Sequence, residues 1–555
     1  MKQLQKDLAA LLAVILLLSG CQKPDNSTSS AATQTQTTAE QVTTTEPATT
    51  QPESTEPEMT QYYDGEIGLG GYAVSSSTSE ATAAGLQILR QGGNAVDAAV
   101  AVAFALGVTE PYSSGLGGGG VMVVYDPTAD AAYSLDYYAR AGSALENTDF
   151  VGVPGYLAGM QEALDLWGTC TLEETLAPAI QLAEKGFPAT ALFARRLTYS
   201  DKLRENPAFA DVKEGDTVVQ KELAKTLKQI RDEGTEIFYH GQIASDIAAA
   251  CDLTEVDLAS YQIYCTDALK SKFNGYRIYT TDAPTSGVVT SQMLTVADLL
   301  DVPNPHEDPV GYLEVMKLAT SIGYKTRRNK LVDPRFYAFN GKNLVSRKYI
   351  KKLIAKAQEE TETLAVEPDP ERRCTTQFAV IDKDGMVVCV TNTLSDNWGG
   401  YLYVDGFYLN NTLSNFNTTG KNAYEPLKRP RTHFSPVIAV GKDHACLAIG
   451  SPGGDNIPKV VAQVLIEVLK EGTDLQTAVD QGRYYFDDDG VLCLETALET
   501  DSLIDKEQIE QNFYFSSSHV VFGCTAIVGY DPATGIVAVS DQRRDGSDAK
   551  VVKLR

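Results

Sequence analysis

Thr375 and Thr393 occupy mirrored positions in one hairpin-like stretch, Cys374 to Thr393. Phe378 and Val380, then Val388 and Val390, recur at a period of two, the sign of half-buried strands. Lys383-Asp384-Gly385 separates the two runs, and Gly385 can take the left-handed conformation that closes a three-residue loop. In that register Asp382 faces Met386 and Thr375 faces Thr393, with opposed Cβ atoms about 4.5–5.5 Å apart and the hydroxyls within contact. A two-residue loop would shift the register and lose the pairing. A threonine hydroxyl becomes a nucleophile when a base takes its proton. A free α-amine, whose unperturbed pKa is about 7.7–8.0, is one such base. Spacing alone also fits a surface hairpin with two ordinary strand threonines, because Thr is common in strands. A second feature is Ser451-Pro452-Gly453-Gly454, ahead of a helical pattern from about Pro458 to Leu469. Two glycines before a helix can point backbone N–H groups at one spot and form an anion hole, or they can form only a turn.

The elements around these residues follow from pattern. Ala73 to Ser76 reads as a short strand, and Ser79 can cap a helix running through Arg90. Gly92-Gly93 breaks that helix and Asn94 caps the next, whose residues Ala95 to Leu106 are apolar nearly all round and therefore buried. The run Gly115 to Gly120 leads into the buried strand Val121 to Tyr125, and no Gly-Lys-Ser/Thr follows, so it is not a phosphate loop. From Val153 to about Leu364 the pattern is mostly helical, with amphipathic pieces at Glu162–Trp167, Thr175–Lys185 and Glu222–Asp232. Asn274 to Tyr279 reads as a strand, and Arg347 to Glu360 as a helix with a solvated basic face.

Composition bounds the partners. Hydrophobic residues make up 43% of the chain, enough for a substantial core, and a net charge of −26 argues against nucleic acid. Lys2 and Lys6 precede an apolar run, Leu8 to Leu18, too short for a stable transmembrane helix and read as a signal peptide. Ser19-Gly20-Cys21 resembles a bacterial lipobox, in which Cys21 becomes the lipidated first residue of a membrane-tethered, extracytoplasmic protein. Residues 22–62 are rich in Ser, Thr, Gln, Glu and Pro and read as an extended stalk that gives the body reach. The nine cysteines include no Cys-x-x-Cys pair, and no disulfide is expected. The five histidines form no metal-ligand pattern, so neither metal nor cofactor is expected.

Cys374-Thr375-Thr376-Gln377-Phe378-Ala379-Val380-Ile381-Asp382 resembles the start of the small subunit of the γ-glutamyltransferase family, whose usual form is Thr-Thr-His. Gly92 to Ala99, Gly115 to Gly120 and Gly450 to Gly454 resemble that family's other signatures, in the same order, and the resemblance spans roughly residues 65–555. It implies an α+β fold, the four-layer αββα sandwich of the N-terminal-nucleophile hydrolases. It also implies self-cleavage between Cys374 and Thr375, giving a large subunit (63–374, with an exposed tail from Pro368 to Arg373) and a small subunit (375–555). Thr375 would then be the nucleophile, Thr393 its orienting partner, and the Gly453 and Gly454 amides the oxyanion donors. The glycine run from Gly115 would pack backbone beside the cleft.

Substrate recognition departs from the family pattern. The family clamps the glutamyl α-carboxylate with an Arg two positions after an Asp and with a Ser-Ser pair. Here Asp136-Tyr137-Tyr138 puts Tyr138 at the arginine's place, with Arg140 two residues on, and the pair is Thr432-His433. The Asp that holds the α-amine is Asn415, the Asn after the second threonine is Ser395, and the Gln is Thr412. Arg140 and Arg431 are the cations expected to have taken over the carboxylate. Residues 417–427 form a short segment where many members carry a longer covering loop, which implies an open cleft. Three functions fit. The first is a γ-glutamyl hydrolase or transferase acting on glutathione-like amides with an amino acid, peptide or water as acceptor. The second uses the same machinery on poly-γ-glutamate or another acyl-amide. The third is a solute-binding lipoprotein without catalysis. No Gly-x-Ser-x-Gly elbow supports a serine hydrolase.

Overall fold

The computed structural model describes residues 68–359, 373–486, 490–495, 515–516 and 523–554. The signal segment, Cys21, the stalk and residues 368–372 of the expected tail lie outside them. Arg373 already belongs to the strand Arg373–Ile381.

Two antiparallel sheets form the centre of the body. The first has seven strands in the order Asp548–Lys553, Gly71–Ser76, Arg373–Ile381, Val387–Asp396, Gly119–Asp126, Ala131–Asp136, Tyr264–Asp267. The second has six, in the order Gly535–Ser540, Ala526–Asp531, Cys446–Gly450, Val437–Val440, Tyr276–Thr280, Leu269–Phe273. The alternation seen in the sequence decides which side each residue serves, since successive strand side chains point to opposite faces. Phe378, Val380, Val388 and Val390 join Val74 and Val124 in a core with the helix Ala95–Thr109. Ala379, Ile381, Val387 and Cys389 face the other way and meet Ile438, Val440, Ala448 and Val528 of the second sheet. The far face of that sheet, with Ile278, Val437 and Ile449, packs on Val289, Met293, Val461 and Leu465 of the helices Gly287–Leu299 and Ile457–Ile466. The result is a helix–sheet–sheet–helix stack, with the threonine hairpin at the middle of the first sheet.

Local chemistry explains the boundaries. Asn94 caps the helix Ala95–Thr109 in a capping box with Asp97, and the helix is buried on all sides, which accounts for its lack of a polar face. Two expectations are corrected. The cap of the helix Ser79–Arg90 is Thr78, whose Oγ1 accepts from the Ala81 N–H at 3.3 Å, rather than Ser79. Asn274 does not start a strand. Asn274 and Gly275, at φ 43° and 84°, form the two-residue turn that joins Leu269–Phe273 to Tyr276–Thr280, the type of hairpin that Asn-Gly favours.

Candidate active site

The hairpin closes as its glycine requires. Gly385 sits at φ +86°, its N–H donates to the Asp382 carbonyl at 3.2 Å, and the Asp382 N–H donates to the Met386 carbonyl at 3.1 Å. The Asp382 side chain anchors this turn. Its Oδ1 accepts from the amides of Asp384 and Met386, both at 3.0 Å, and its Oδ2 from Ala95 N–H at the start of the long buried helix, at 2.9 Å. Burial pushes the Asp382 carboxyl up to about 6. From this turn the ladder runs in register to Thr393 opposite Thr375. There the register shifts: Ser395, not Leu394, pairs with Cys374, and Ser395 takes φ +80°. A bulge of this kind re-aims side chains at the end of a strand.

The re-aiming has a chemical result. Thr393 Oγ1 donates to the carbonyl oxygen of Cys374 at 2.5 Å, while the Ser395 N–H donates to Thr393 Oγ1 at 2.9 Å. The carbonyl so polarised belongs to the peptide bond that joins Cys374 to Thr375. Thr375 and Thr393 are 4% and 2% exposed, so water competes little for these bonds.

A buried ionic cluster holds the strand from beneath. Arg544 Nη1 donates to the Thr375 carbonyl at 3.1 Å, and its Nε and Nη2 grip Glu110 at 2.8 and 2.7 Å. Glu110 also accepts from the Thr376 hydroxyl at 2.8 Å and the Tyr112 hydroxyl at 3.0 Å. Arg544 Nη2 reaches Ser113 Oγ at 3.0 Å, and that oxygen lies 2.8 Å from Cys374 Sγ. Burial acts to lower the Arg544 pKa; Glu110, together with Cys524, Tyr112 and Cys374 around it, raises it by more, and the guanidinium is held charged. Arg544 is set in place by its neighbours: Arg543 bonds Glu495 at 2.7 Å and Asp541 at 3.2 Å, and Asp541 bonds Arg483 at 2.5 Å. Sequence reading missed Glu110, Ser113 and Arg544. The available signals were an acid directly after a nearly all-apolar helix and the charge-rich run Asp541 to Asp545.

Beside the threonines lies a small, half-open cavity. Of the expected site residues, Thr375, Thr393, Tyr138, Ser395, Asn415, Thr432, His433 and Gly454 line it, and Phe434 and Ile457 add an apolar wall. Asn415 Nδ2 donates to Tyr138 Oη at 2.9 Å and Ser395 Oγ at 3.0 Å, and the Tyr138 ring meets Phe434 edge-on at 5.1 Å. Thr432 is seated by the segment before the helix Gly287–Leu299: its N–H donates to the Pro284 carbonyl at 3.1 Å, and its carbonyl accepts from Ser286 Oγ at 2.8 Å. The glycine run packs as expected, for a Cβ on Gly118 would lie 2.4 Å from the Thr393 carbonyl oxygen. Gly453 and Gly454, at φ +131° and +61°, bend the chain into the helix Ile457–Ile466, although Gly453 itself does not line the cavity. Thr412 lies buried outside the cavity, its N–H donating to Asn410 Oδ1 at 3.0 Å. None of residues 416–427 lines it either. That loop folds on itself, with Lys428 Nζ bonded to the Lys421 and Ala423 carbonyls.

The expected arginines are corrected. Arg140 donates to the carbonyls of Ala141 and Ser260 at 3.2 and 2.8 Å and to Ser260 Oγ at 3.0 Å, and it lies over the Tyr261 ring. Arg431 donates to the carbonyls of Arg327 and Arg328 at 3.0 and 2.9 Å and to Asn417 Oδ1 at 2.7 Å. Burial, with Arg327 and Arg328 close by, lowers the Arg431 pKa. Both guanidiniums brace loops, and neither lines the cavity.

A family model described as Gamma-glutamyltranspeptidase matches residues 81–551. The chain belongs to the γ-glutamyltranspeptidase family. As a member of this family it is an enzyme of the N-terminal-nucleophile hydrolase type. It is 36% identical over 426 residues to the capsule biosynthesis protein CapD proenzyme of Bacillus anthracis, covering 75% of this chain and 79% of that one. It is 32% identical over 545 residues to the glutathione hydrolase proenzyme of Bacillus subtilis strain 168, covering 88% and 92%. The cephalosporin acylase of Bacillus halodurans superposes with a TM-score of 0.77 at 25% identity, covering 89% of this chain and 98% of the acylase. The chain shares the α+β fold of that acylase.

Proposed function

We propose that this γ-glutamyltranspeptidase family member is an autoprocessing hydrolase or transferase of γ-glutamyl amides, with Thr375 as nucleophile. The observation that carries the reading is the Thr393 hydroxyl on the Cys374 carbonyl, beside Thr375 in the facing strand. In maturation Thr375 Oγ attacks that carbonyl carbon, and the Thr393 donor stabilises the developing oxyanion. The Cys374–Thr375 C–N bond breaks, an ester to Thr375 Oγ forms, and the nitrogen takes the hydroxyl proton and leaves as the free α-amine. Water hydrolyses the ester and leaves a Cys374 carboxylate. In turnover the amine takes the Thr375 hydroxyl proton, Oγ attacks the substrate amide carbonyl, and the Gly454 amide at the cavity wall receives the oxyanion, in the turn that Gly453 opens. The departing amine takes the proton, and water or an acceptor amine then takes the acyl group from Thr375.

The substrate reading is supported by glutathione hydrolase and CapD among the relatives, and an acyl-amide reading by the cephalosporin acylase. The protein acts outside the cytoplasm, held to a bacterial membrane by lipid on Cys21; the support is the Lys2-to-Cys21 pattern and the stalk after it. Cleavage of a γ-glutamyl p-nitroanilide tests the reaction, with and without a dipeptide acceptor to separate transfer from hydrolysis. Processed protein that releases no nitroaniline from any acyl anilide contradicts it.

A further inference from the structure

The residue before the scissile bond is held by its side chain as well as by its carbonyl. Cys374 is 3% exposed, and its Sγ lies 2.8 Å from the Oγ of Ser113, itself fully buried. Arg544 Nη2 donates to the same oxygen at 3.0 Å. A guanidinium only donates, so it takes a lone pair of the serine oxygen and leaves the hydroxyl proton free for the sulfur. The Ser113 backbone is fixed on both sides: its N–H donates to the Glu110 carbonyl at 2.8 Å, and its carbonyl accepts from the Leu394 N–H at 2.9 Å. Leu394 is the residue skipped by the bulge between Thr393 and Ser395, and Ser395 is the partner of Cys374. Ser113 therefore ties the start of one strand to the bulge of the other, at the level of the bond to be cut.

Resting on the reading that Thr375 cuts the chain before itself, we propose that Ser113 is a positioning residue for maturation, acting through the Cys374 thiol. Attack by Thr375 Oγ needs the Cys374 carbonyl carbon turned toward it, and that orientation follows from the backbone angles of Cys374. Thr393 Oγ1 fixes the oxygen of that group, and Arg544 Nη1 fixes the Thr375 carbonyl on the far side of the bond. Ser113 supplies the third hold, on the near side, where the strand has only Arg373 before Cys374. A displacement of about 1 Å between reacting groups can cost about 10²-fold in rate. An amide substrate brings no cysteine to this place, and the cut severs Cys374 from Thr375. The contact between Ser113 and Cys374 therefore acts on maturation and has no counterpart in turnover.

The test follows the cut by denaturing electrophoresis after cell-free synthesis of the whole chain, as wild type, Cys374→Ala, Cys374→Ser, Ser113→Ala and the Ser113→Ala, Cys374→Ala double variant. Each fully cut protein is then assayed for kcat/KM on the acyl anilide that the wild type cleaves best. Cys374→Ala should be cut at least about tenfold more slowly than the wild type, and its kcat/KM should fall by far less. Cys374→Ser keeps a hydrogen-bonding atom at the γ position and should recover most of the loss. Ser113→Ala should slow the cut in the wild-type background and add nothing to Cys374→Ala. Four results would each overturn the proposal and leave the proposed function standing: Cys374→Ala cut at the wild-type rate, Cys374→Ser as slow as Cys374→Ala, an equal loss in kcat/KM, or the same Ser113→Ala effect in both backgrounds. A wild-type chain that is never cut overturns both. The Cys374 comparison decides the matter even if the Ser113 variants fail to fold.

Discussion

Thr393→Val removes one hydroxyl and keeps a β-branched side chain of nearly the same shape in its strand. The hydroxyl donates to the Cys374 carbonyl at 2.5 Å and accepts from the Ser395 N–H at 2.9 Å. Two separable effects follow. Loss of the donor withdraws one hydrogen bond from the tetrahedral oxyanion of maturation, which costs about 2.7–4 kcal/mol, or a 10²–10³-fold slower cut. Loss of the acceptor leaves the Ser395 amide unpaired in a buried place, which lowers stability by about 1–3 kcal/mol. The rate is read by synthesising the chain in a cell-free pulse, quenching samples into denaturant and following the uncut band by electrophoresis. Stability is read separately by urea unfolding of the uncut protein. Thr393→Ser retains the hydroxyl and should cut within about tenfold of the wild type, which separates the donor from the packing of the methyl group. A Val variant that matures at the wild-type rate would refute the role of this hydrogen bond, whatever its stability.

Three further outcomes are expected. Glu110→Gln leaves the Arg544 guanidinium buried without its counter-charge, so urea unfolding should show a loss of about 3–5 kcal/mol and maturation should slow; unchanged stability would contradict the role given to the cluster. Arg140→Met should lower stability by about 1.5–3 kcal/mol through its lost bonds to Ser260 and Ala141. It should leave unchanged the kcat/KM ratio between a γ-glutamyl anilide and its analogue lacking the α-carboxylate, and a selective loss on the carboxylate substrate would put Arg140 back in the pocket. For pH, the Thr375 α-amine must be neutral to accept the hydroxyl proton, so kcat/KM should fall about tenfold per pH unit below its pKa. A kcat/KM that stays flat through this acid limb contradicts the amine as base.

The hairpin was legible because its determinants are local. Period-two apolar residues and one glycine fix the register of Thr375 and Thr393 without any distant contact. The layer assignment came from the family resemblance, and the opposed faces of Phe378 and Ala379 agree with it. Arg140 misled because its position two residues past Tyr138 shares a face with it only if the segment stays a strand. The strand Ala131–Asp136 ends there, and Arg140 instead bridges to Val153, which turns its side chain toward Ser260 and Tyr261. Arg431 misled because adjacency to Thr432 does not put two side chains on one side of an extended segment. Glu110 and Arg544 were out of reach for a different reason: they meet across most of the chain's length, and only the folded sheet brings the C-terminal charged run under the nucleophile.

The most direct test is the intact mass of the purified protein under denaturing conditions, before and after incubation with an acyl anilide. A Thr375 nucleophile predicts a fragment running from Thr375 to Arg555 that gains the mass of one acyl group, and a Thr375→Ala chain that stays whole and gains nothing. A wild-type chain that remains uncut at Cys374–Thr375 while cleaving the anilide at full rate would contradict it.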